Sequence, residues 1–288
     1  MKNIKTICTN HINLLCLILV QQSELSIKLQ EAIRIIDEAI DRYGDGLAFS
    51  FNGGKDCTVI LALYSICLLR RNRIKPGLDL KKIPALYIVN SNSFSEIDEF
   101  VEECRINYNI DLVKVSGPMK VGLLQFLNSH SYIKAILIGT RKTDPYGHLL
   151  SDFCVTSEGW PECMRVHPIL DWSYNAIWDF LLLFKVPYCS LYDKGYTSLG
   201  DKNNTHPNPL LINENSPSGY SPAYLLKDDS ITSDDIPNAL LSRAKNVLYT
   251  EPCQSMNAER MNVNIQMNWW GGGDSGVRNR IRLALGLR

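Results

Sequence analysis

Two adjacent glycines and a lysine separate two apolar stretches at residues 52–57, which read Asn-Gly-Gly-Lys-Asp-Cys. A glycine pair allows a tight turn and lets the backbone approach a ligand closely. Where such a turn opens a helix, its amides point at an anion, and Lys55 adds a positive charge suited to phosphate. The loop therefore predicts a phosphate site. It is neither a Walker loop nor a dinucleotide-binding fingerprint, because the glycine spacing of both is absent.

Such a loop needs a strand before it and a helix after it, and the sequence predicts both. Residues 47–51 form a short apolar run, and residues 58–69 are almost entirely apolar, as in a helix buried on most sides. Upstream, apolar residues recur at helical spacing over 24–43, and Gly44 is a natural stop. A simple turn is the alternative interpretation of Gly-Gly-Lys, but the flanking elements favour the phosphate site.

Further strands and helices alternate along the chain. We predict strands at 85–89, 112–115 and 135–138, and helices at 96–108 and 121–127. This alternation implies an α/β fold with a parallel, twisted sheet flanked by helices. Ligands of such sheets bind beyond the carboxyl ends of the strands, which selects the loops at 52–57, 90–95 and 139–147.

Composition and charge exclude several classes of protein. Lys plus Arg and Asp plus Glu are 30 each, so the net charge is zero and a broad nucleic-acid surface is not expected. The nine cysteines form no Cys-x-x-Cys pair, which argues against a disulfide framework or a zinc site and fits a reducing cytoplasm. The apolar run at 12–20 is too short to span a bilayer. We expect a cytoplasmic monomer with neither a nucleic-acid nor a membrane partner.

Three further segments carry a family resemblance. They are Ile-Gly-Thr-Arg-Lys-Thr-Asp-Pro-Tyr-Gly at 138–147, Trp-Pro and then Met-Arg-Val-His-Pro-Ile-Leu-Asp-Trp within 160–172, and Leu-Tyr-Asp-Lys-Gly-Tyr-Thr-Ser-Leu-Gly at 191–200. The loop at 52–57 resembles the pyrophosphate loop of the PAPS reductase-like ATP pyrophosphatase superfamily. In combination, the four segments resemble the eukaryotic, fungal-type FAD synthases (FMN adenylyltransferases) over roughly residues 25–230. The resemblance implies an adenine nucleotide alpha hydrolase-like, Rossmann-like fold with an irregular C-terminal region.

The same resemblance implies a reaction and its substrates. AMP is transferred from ATP to FMN, giving FAD and pyrophosphate, with Mg²⁺ as the cofactor. An FMN phosphate oxygen attacks the α-phosphorus in line, and because it is already anionic near neutral pH, no strong general base is required. No covalent enzyme intermediate is expected.

The resemblance also implies the nucleotide site. The loop at 52–57 is expected to hold the β and γ phosphates, and the ends of the first two strands are expected to border the adenosine. The residues predicted to bind ATP are Ser50, Phe51, Asn52, Gly53, Gly54, Lys55, Asp56, Cys57, Val89, Asn90 and Gly139. Of these, Asn52, Lys55 and Asp56 are predicted to be catalytic, and Asp56 is the candidate metal ligand, although it could instead cap the helix.

By the same resemblance, four residues are expected to bind the flavin. Asp144 is expected to accept a hydrogen bond from the imide of the isoalloxazine ring, and Arg141 either pairs with a phosphate or orients Asp144. Trp160 offers a stacking face, and Arg165 is expected to reach the FMN phosphate. Each has a structural alternative: Asp144 before proline is a common turn starter, Arg165 can be an ion-pair partner and Trp160 can belong to the core.

The C-terminal part departs from the family. The arginine-rich segment similar to Glu-Arg-Ala-Gly-Arg is missing at 230–234, which read Ser-Ile-Thr-Ser-Asp. Arg243, with Lys245, is the nearest candidate and is predicted to be catalytic; either they act through a longer connection or activity is weak. Residues 251–288 contain no lysine and five arginines. We predict an N-terminal extension at 1–23, a catalytic domain at 24–250 and an atypical tail at 251–288.

Asp171 is predicted to cap a last helix that runs to Phe184. The helix is expected to end there because Pro187 follows.

Three other functions stay open. A sulfonucleotide (PAPS) reductase shares the fold and loop, but its nucleophilic cysteine stands in a Glu-Cys-Gly context that Cys253, in Glu-Pro-Cys-Gln, does not match. A non-catalytic nucleotide-binding relative would bind ATP and FMN without turnover. An adenylating enzyme acting on sulfate or a tRNA base is the third, and the neutral charge weighs against the tRNA version.

Overall fold

The computed structural model describes residues 23–74 and 82–226. Its longer elements are α1 (Glu24–Tyr43), β1 (Leu47–Ser50), α2 (Lys55–Ile74), β2 (Ile83–Val89), α3 (Ser95–Asn107), β3 (Ile110–Ser116), α4 (Met119–Ser129), β4 (Ala135–Leu137), β5 (Phe153–Val155), β6 (Met164–Val166) and α5 (Tyr174–Leu183). The predicted strands before residue 140 are all present, and the predicted helix at 24–43 is confirmed at both ends. It begins there because the Ser23 hydroxyl accepts the Ser26 amide at 3.2 Å.

The strands form one six-stranded sheet in the order β3-β2-β1-β4-β6-β5. All neighbouring pairs are parallel except β5 with β6, which is antiparallel. The predicted α/β, Rossmann-like sheet is therefore confirmed. Within the sheet, β2 lies on one side of β1 and β4 lies on the other, so the strand order switches between β1 and β4. The loops that follow β1 and β4 therefore open beside each other at this switch point.

Alternation along the strands divides the core into two layers. Leu47 and Phe49 of β1 face the helices α1 and α2, whereas Ala48 between them packs with Leu123 and Phe126 of α4. Successive strand residues point to opposite faces, so three apolar residues in a row can fill both layers. This explains why the first three residues of β1 show no polar alternation and why residues 58–69 of α2, covered on most sides, are almost entirely apolar.

The predicted cap of the last helix is wrong. The helix α5 starts at Tyr174, and the Ser173 hydroxyl, not Asp171, accepts the Ala176 amide at 3.1 Å. The Asp171 carboxylate instead pairs with Lys142 at 2.5 Å, in the turn before the helix. Both Asp and Ser are good cap residues, and only the position of the first helical turn distinguishes them.

The two strands β5 and β6 are absent from the sequence-based prediction. Each has three residues, which is too short to show a period-two pattern, and both lie in the segment that carries Trp160 and Arg165. Their presence extends the sheet beyond β4 and closes its edge with an antiparallel strand.

Some predictions fall outside the described residues. These are the predictions for Arg243, for Cys253, for the tail at 251–288 and for all of the N-terminal extension but Ser23. Within residues 23–74 and 82–226, none of the helices combines the length and apolar character needed to cross a bilayer.

Candidate active site

The loop at 52–57 has the predicted strand–turn–helix setting, since β1 ends at Ser50 and α2 begins at Lys55. Gly53 has φ +74°, a conformation that side-chain-bearing residues rarely adopt. The Asn52 side-chain oxygen accepts the Gly54 amide at 2.9 Å and the Cys57 thiol at 2.8 Å. Asn52 therefore fixes the shape of the loop from within.

The loop after β4 presses directly against the start of α2. A Cβ atom added to Gly139 would lie 2.9 Å from the Cys57 nitrogen and 3.2 Å from the Asp56 carbonyl carbon. Both contacts are with backbone, which cannot move aside cheaply. Gly139 was predicted to bind ATP, and the structure gives it a packing role that brings the two loops together.

Four charged side chains connect these two loops. The Lys55 Nζ lies 3.1 Å from Asp56 Oδ2, and Arg141 Nε lies 3.1 Å from Asp56 Oδ1. Asp144 then accepts the Arg141 amide at 2.8 Å and lies 3.1 Å from its Nη2. We call Lys55, Asp56, Arg141 and Asp144 the charge cluster. Of the two roles predicted for Arg141, this geometry favours the orientation of Asp144.

Burial and mutual charge shift the pKa values within the charge cluster. Burial lowers the pKa of Lys55, and Asp56 opposes that shift. Burial disfavours the Asp56 carboxylate, but Lys55 and Arg141 outweigh it and hold its pKa below the ordinary value. The pKa of Asp144 is raised, chiefly by burial, although Arg141 opposes the change. Asp144 is thus the carboxylate of the cluster that gains a proton first as pH falls.

The loop after β2 is tied to a distant segment. The Asn90 side chain donates to Asp201 Oδ2 at 3.1 Å, and Asn92 donates to Asp201 Oδ1 at 2.9 Å. Val89 is half-buried at the end of β2. Phe51 packs in the core, with its ring 5.5 Å from that of Phe49, so it can border a nucleotide through its backbone only.

Trp160 and Arg165 lie further along the sheet. Trp160 is half-buried and packs against the α4 layer of the core. Arg165 has 1% of its surface exposed, and its Nη2 donates to the Val155 carbonyl at 3.1 Å, across β5 and β6. Val166 belongs to the opposite layer, so Arg165 points to the same face of the sheet as the α4 layer. Their roles toward the flavin stay predictions.

Sequence reasoning assigned no role to the segment at 190–197, although the motif at 191–200 had been singled out. Its Tyr192 hydroxyl accepts the Lys55 amide at 2.8 Å. The Lys55 Nζ donates to the Thr197 carbonyl at 3.3 Å and lies 5.1 Å from the centre of the Tyr174 ring. Contacts between residues this far apart in the chain leave no periodic pattern, so the motif was the sole signal.

Comparison with known protein families identifies a domain within this chain. A family model described as "Phosphoadenosine phosphosulfate reductase domain" matches residues 46–131 and 117–207. Together these ranges cover residues 46–207, more than half of the 288 residues, and include the sheet, the loop and the charge cluster.

Comparison with individual proteins is more specific. A probable FAD synthase from Schizosaccharomyces pombe is 47% identical over 212 residues, which are 73% of this chain and 77% of that protein. A probable FAD synthase from Caenorhabditis briggsae is 38% identical over 207 residues, 70% of this chain but 39% of that longer protein. The solved FMN adenylyltransferase of Candida glabrata, in complex with FAD and inorganic pyrophosphate or with FMN and AMPCPP, has a TM-score of 0.71 and 28% identity. It covers 80% of this chain and 95% of that one.

Proposed function

The chain belongs to the FAD synthase family, and on that premise we propose that it transfers the adenylyl group of ATP to FMN, giving FAD and pyrophosphate. One observation on the structure carries the proposal. The charge cluster joins the loop expected to hold the ATP phosphates, through Lys55 and Asp56, to the loop expected to hold the flavin, through Arg141 and Asp144. Two substrates bound to these loops would meet at the cluster.

The transfer needs alignment and charge more than acid–base chemistry. A phosphate oxygen of FMN forms a bond to the α-phosphorus of ATP, while the bond to the pyrophosphate oxygen breaks and pyrophosphate leaves with the electron pair. The nucleophile is already anionic, so the barrier lies in bringing two polyanions together. Asn52 shapes the loop, Lys55 supplies positive charge beside Asp56, and Arg243 is proposed to supply another positive charge.

Asp144 is proposed to recognise the flavin ring. Both of its oxygens already contact Arg141, yet each retains a lone pair that can accept the imide hydrogen of the isoalloxazine. Because Arg141 fixes the carboxylate at two points, the flavin is oriented before ATP reacts. Trp160 and Arg165 remain proposed for stacking and for the FMN phosphate.

Mg²⁺ fits the site through Asp56. Asp56 Oδ1 is buried and, within the part of the chain that the structure describes, forms no hydrogen bond of good geometry. Mg²⁺ commonly binds one or two carboxylates together with substrate phosphates, so the lack of a three-ligand cluster among the described residues does not conflict with it. When bound, the ion would neutralise phosphate charge, and Asp56 would hold it beside the loop.

A thiol mechanism is not favoured. Burial raises the pKa of the Cys57 thiol to about 12, so it stays protonated beside the loop. The FAD synthase relatives also favour adenylyl transfer over the sulfonucleotide reductase alternative. We further propose that the protein is a cytoplasmic monomer that uses small-molecule ATP and FMN. Light scattering coupled to gel filtration measures the molar mass and so tests the monomeric state.

Two substitutions test how the substrates divide between the loops. Lys55→Ala is expected to raise the KM for ATP, and Asp144→Ala the KM for FMN, each by about tenfold or more, as for loss of a charged contact. Steady-state kinetics with each substrate varied in turn measures both constants, after circular dichroism has shown that the variants fold.

Lys142→Ala is the matched control. Its ammonium pairs with Asp171 on the exposed side of the same loop, so neither KM is expected to change. Equal effects of Lys55→Ala and Asp144→Ala on both substrates would argue against the proposed division.

A further inference from the structure

The segment at 190–197 contacts the phosphate loop at a point that local interactions do not hold. Asn52 fixes the turn itself, through Gly54 and Cys57. The first residue of α2, Lys55, is instead held from outside by Tyr192. The first backbone amides of a helix have no hydrogen-bond acceptor within the helix. An acceptor from another part of the chain, here the Tyr192 hydroxyl, therefore fixes the position of the helix start.

The contact with the Lys55 amide is buried. The Tyr192 side chain has 1% of its surface exposed, and its hydroxyl accepts the Lys55 N–H at 2.8 Å. A buried amide deprived of its acceptor costs free energy that water cannot restore. The hydroxyl is therefore a specific acceptor, which phenylalanine cannot replace.

The same segment holds the Lys55 side chain. The Thr197 carbonyl accepts from Nζ at 3.3 Å, and the Tyr192 ring centre lies 6.0 Å from Nζ, on the edge of the cation–π range. Both the backbone and the ammonium of one residue are thus fixed by residues at 190–197. The Asp56 carboxylate, which pairs with the same ammonium, is positioned indirectly.

Tyr192 is itself held rigidly by α5. Its ring meets the ring of Trp178 edge to face, with centroids 5.2 Å apart and planes at 82°. Trp178 is 2% exposed and also meets Tyr188 at 5.1 Å. The position of the phosphate loop is therefore connected through one aromatic cluster to α5, which packs against α2.

We propose that Tyr192 is a positioning residue for ATP: its hydroxyl holds the start of α2 so that the loop amides and Lys55 meet the phosphates in the productive arrangement. This rests on the proposed function for the identity of the nucleotide. Tyr192 acts through Lys55, not by touching the substrate. The prediction is a defect specific to ATP, which a general loss of stability would not produce.

The test is Tyr192→Phe, with Tyr188→Phe as the matched control. Both remove one hydroxyl from the same aromatic cluster, but the Tyr188 hydroxyl donates to Asp193 at 3.0 Å, away from the loop. Tyr192→Phe is expected to raise the KM for ATP about five- to tenfold, as for one lost hydrogen bond, with the KM for FMN and the kcat at saturating ATP unchanged. Tyr188→Phe is expected to change none of the three.

A second measurement reports on the contact without turnover. Hydrogen–deuterium exchange of a peptide spanning 52–58 is expected to be faster in Tyr192→Phe than in the wild type or Tyr188→Phe, because the Lys55 amide loses its acceptor. An unchanged KM for ATP, or equal losses in all kinetic constants that track a lower melting temperature, would overturn the proposal. Unchanged exchange would overturn it as well.

Calorimetric titration with ATP and Mg²⁺ separates this inference from the proposed function. Weaker ATP binding by Tyr192→Phe, in a protein whose wild type forms no FAD, would support the positioning role and reject the adenylyl transfer. FAD formation by the wild type, with equal ATP affinity in both proteins, would reject the positioning role alone.

Discussion

Asp144 accepts hydrogen bonds from both the backbone amide and the guanidinium of Arg141, and burial raises its pKa. The family resemblance predicted a flavin contact for Asp144, but not that Arg141 would hold it through both backbone and side chain. The link to Asp56 could not be predicted either, because it joins two loops that only the strand order brings together. Residue types were thus predictable, and their mutual electrostatics were not.

The raised pKa of Asp144 predicts a pH dependence of flavin binding. Because burial raises this pKa, the carboxylate is present above it and is lost as pH falls through it, at a higher pH than for an ordinary aspartate. Riboflavin affinity is therefore expected to fall as pH is lowered through the raised pKa of Asp144, and riboflavin is the suitable probe because it lacks the phosphate of FMN, which itself titrates. Quenching of flavin fluorescence measures it.

The control is Asp144→Asn, which keeps the size of the side chain and removes its titration. Its affinity for riboflavin is expected to be weaker and flat over the same pH range. A variant that shows the wild-type pH dependence would mean that another group titrates.

At the scale of elements, the long segments were predictable and the short ones were not. The apolar spacing of α1 and the apolar run of α2 each reflect one dominant burial pattern. The strands β5 and β6 have three residues each and depend on pairing with β4, which local sequence does not encode. Arg165, for which the sequence predicted no secondary structure, lies in the buried strand β6.

The start of α5 offers a test of helix capping. Ser173→Ala is expected to lower the free energy of unfolding by about 1 kcal/mol, because it leaves the Ala176 amide without its acceptor. Asp171→Ala is the control and is expected to cost about 0.5 kcal/mol or less, since it removes only an exposed ion pair with Lys142. Urea denaturation of both variants measures the difference, and a larger effect at Asp171 would restore the sequence-based assignment.

At the scale of the whole molecule, composition and strand–helix alternation were enough to predict the α/β sheet. The order β3-β2-β1-β4-β6-β5 explains where the charge cluster forms: β1 and β4 are neighbours, and the two loops proposed to bind the substrates leave from their carboxyl ends. The antiparallel edge strand and the contact of 190–197 with α2 required the structure, since both join parts of the chain with no local signal.

The predicted domain limits give a prediction for the tail. A chain ending at residue 250 keeps Arg243 and lacks only the tail, so it is expected to retain kcat/KM within about twofold of the full chain, as for removal of a segment that makes no transition-state contact. A chain ending at residue 240 lacks Arg243 and is expected to lose most of its activity. Full activity of the shorter chain would remove Arg243 from the catalytic residues.

The central claim, adenylyl transfer to FMN, is tested most directly by incubating the purified full chain with ATP, Mg²⁺ and FMN and separating the products by chromatography. The expected result is FAD and pyrophosphate in equal amounts, dependent on Mg²⁺ and strongly reduced in Lys55→Ala. A protein that binds ATP and FMN but forms no FAD would contradict the claim and identify a non-catalytic relative.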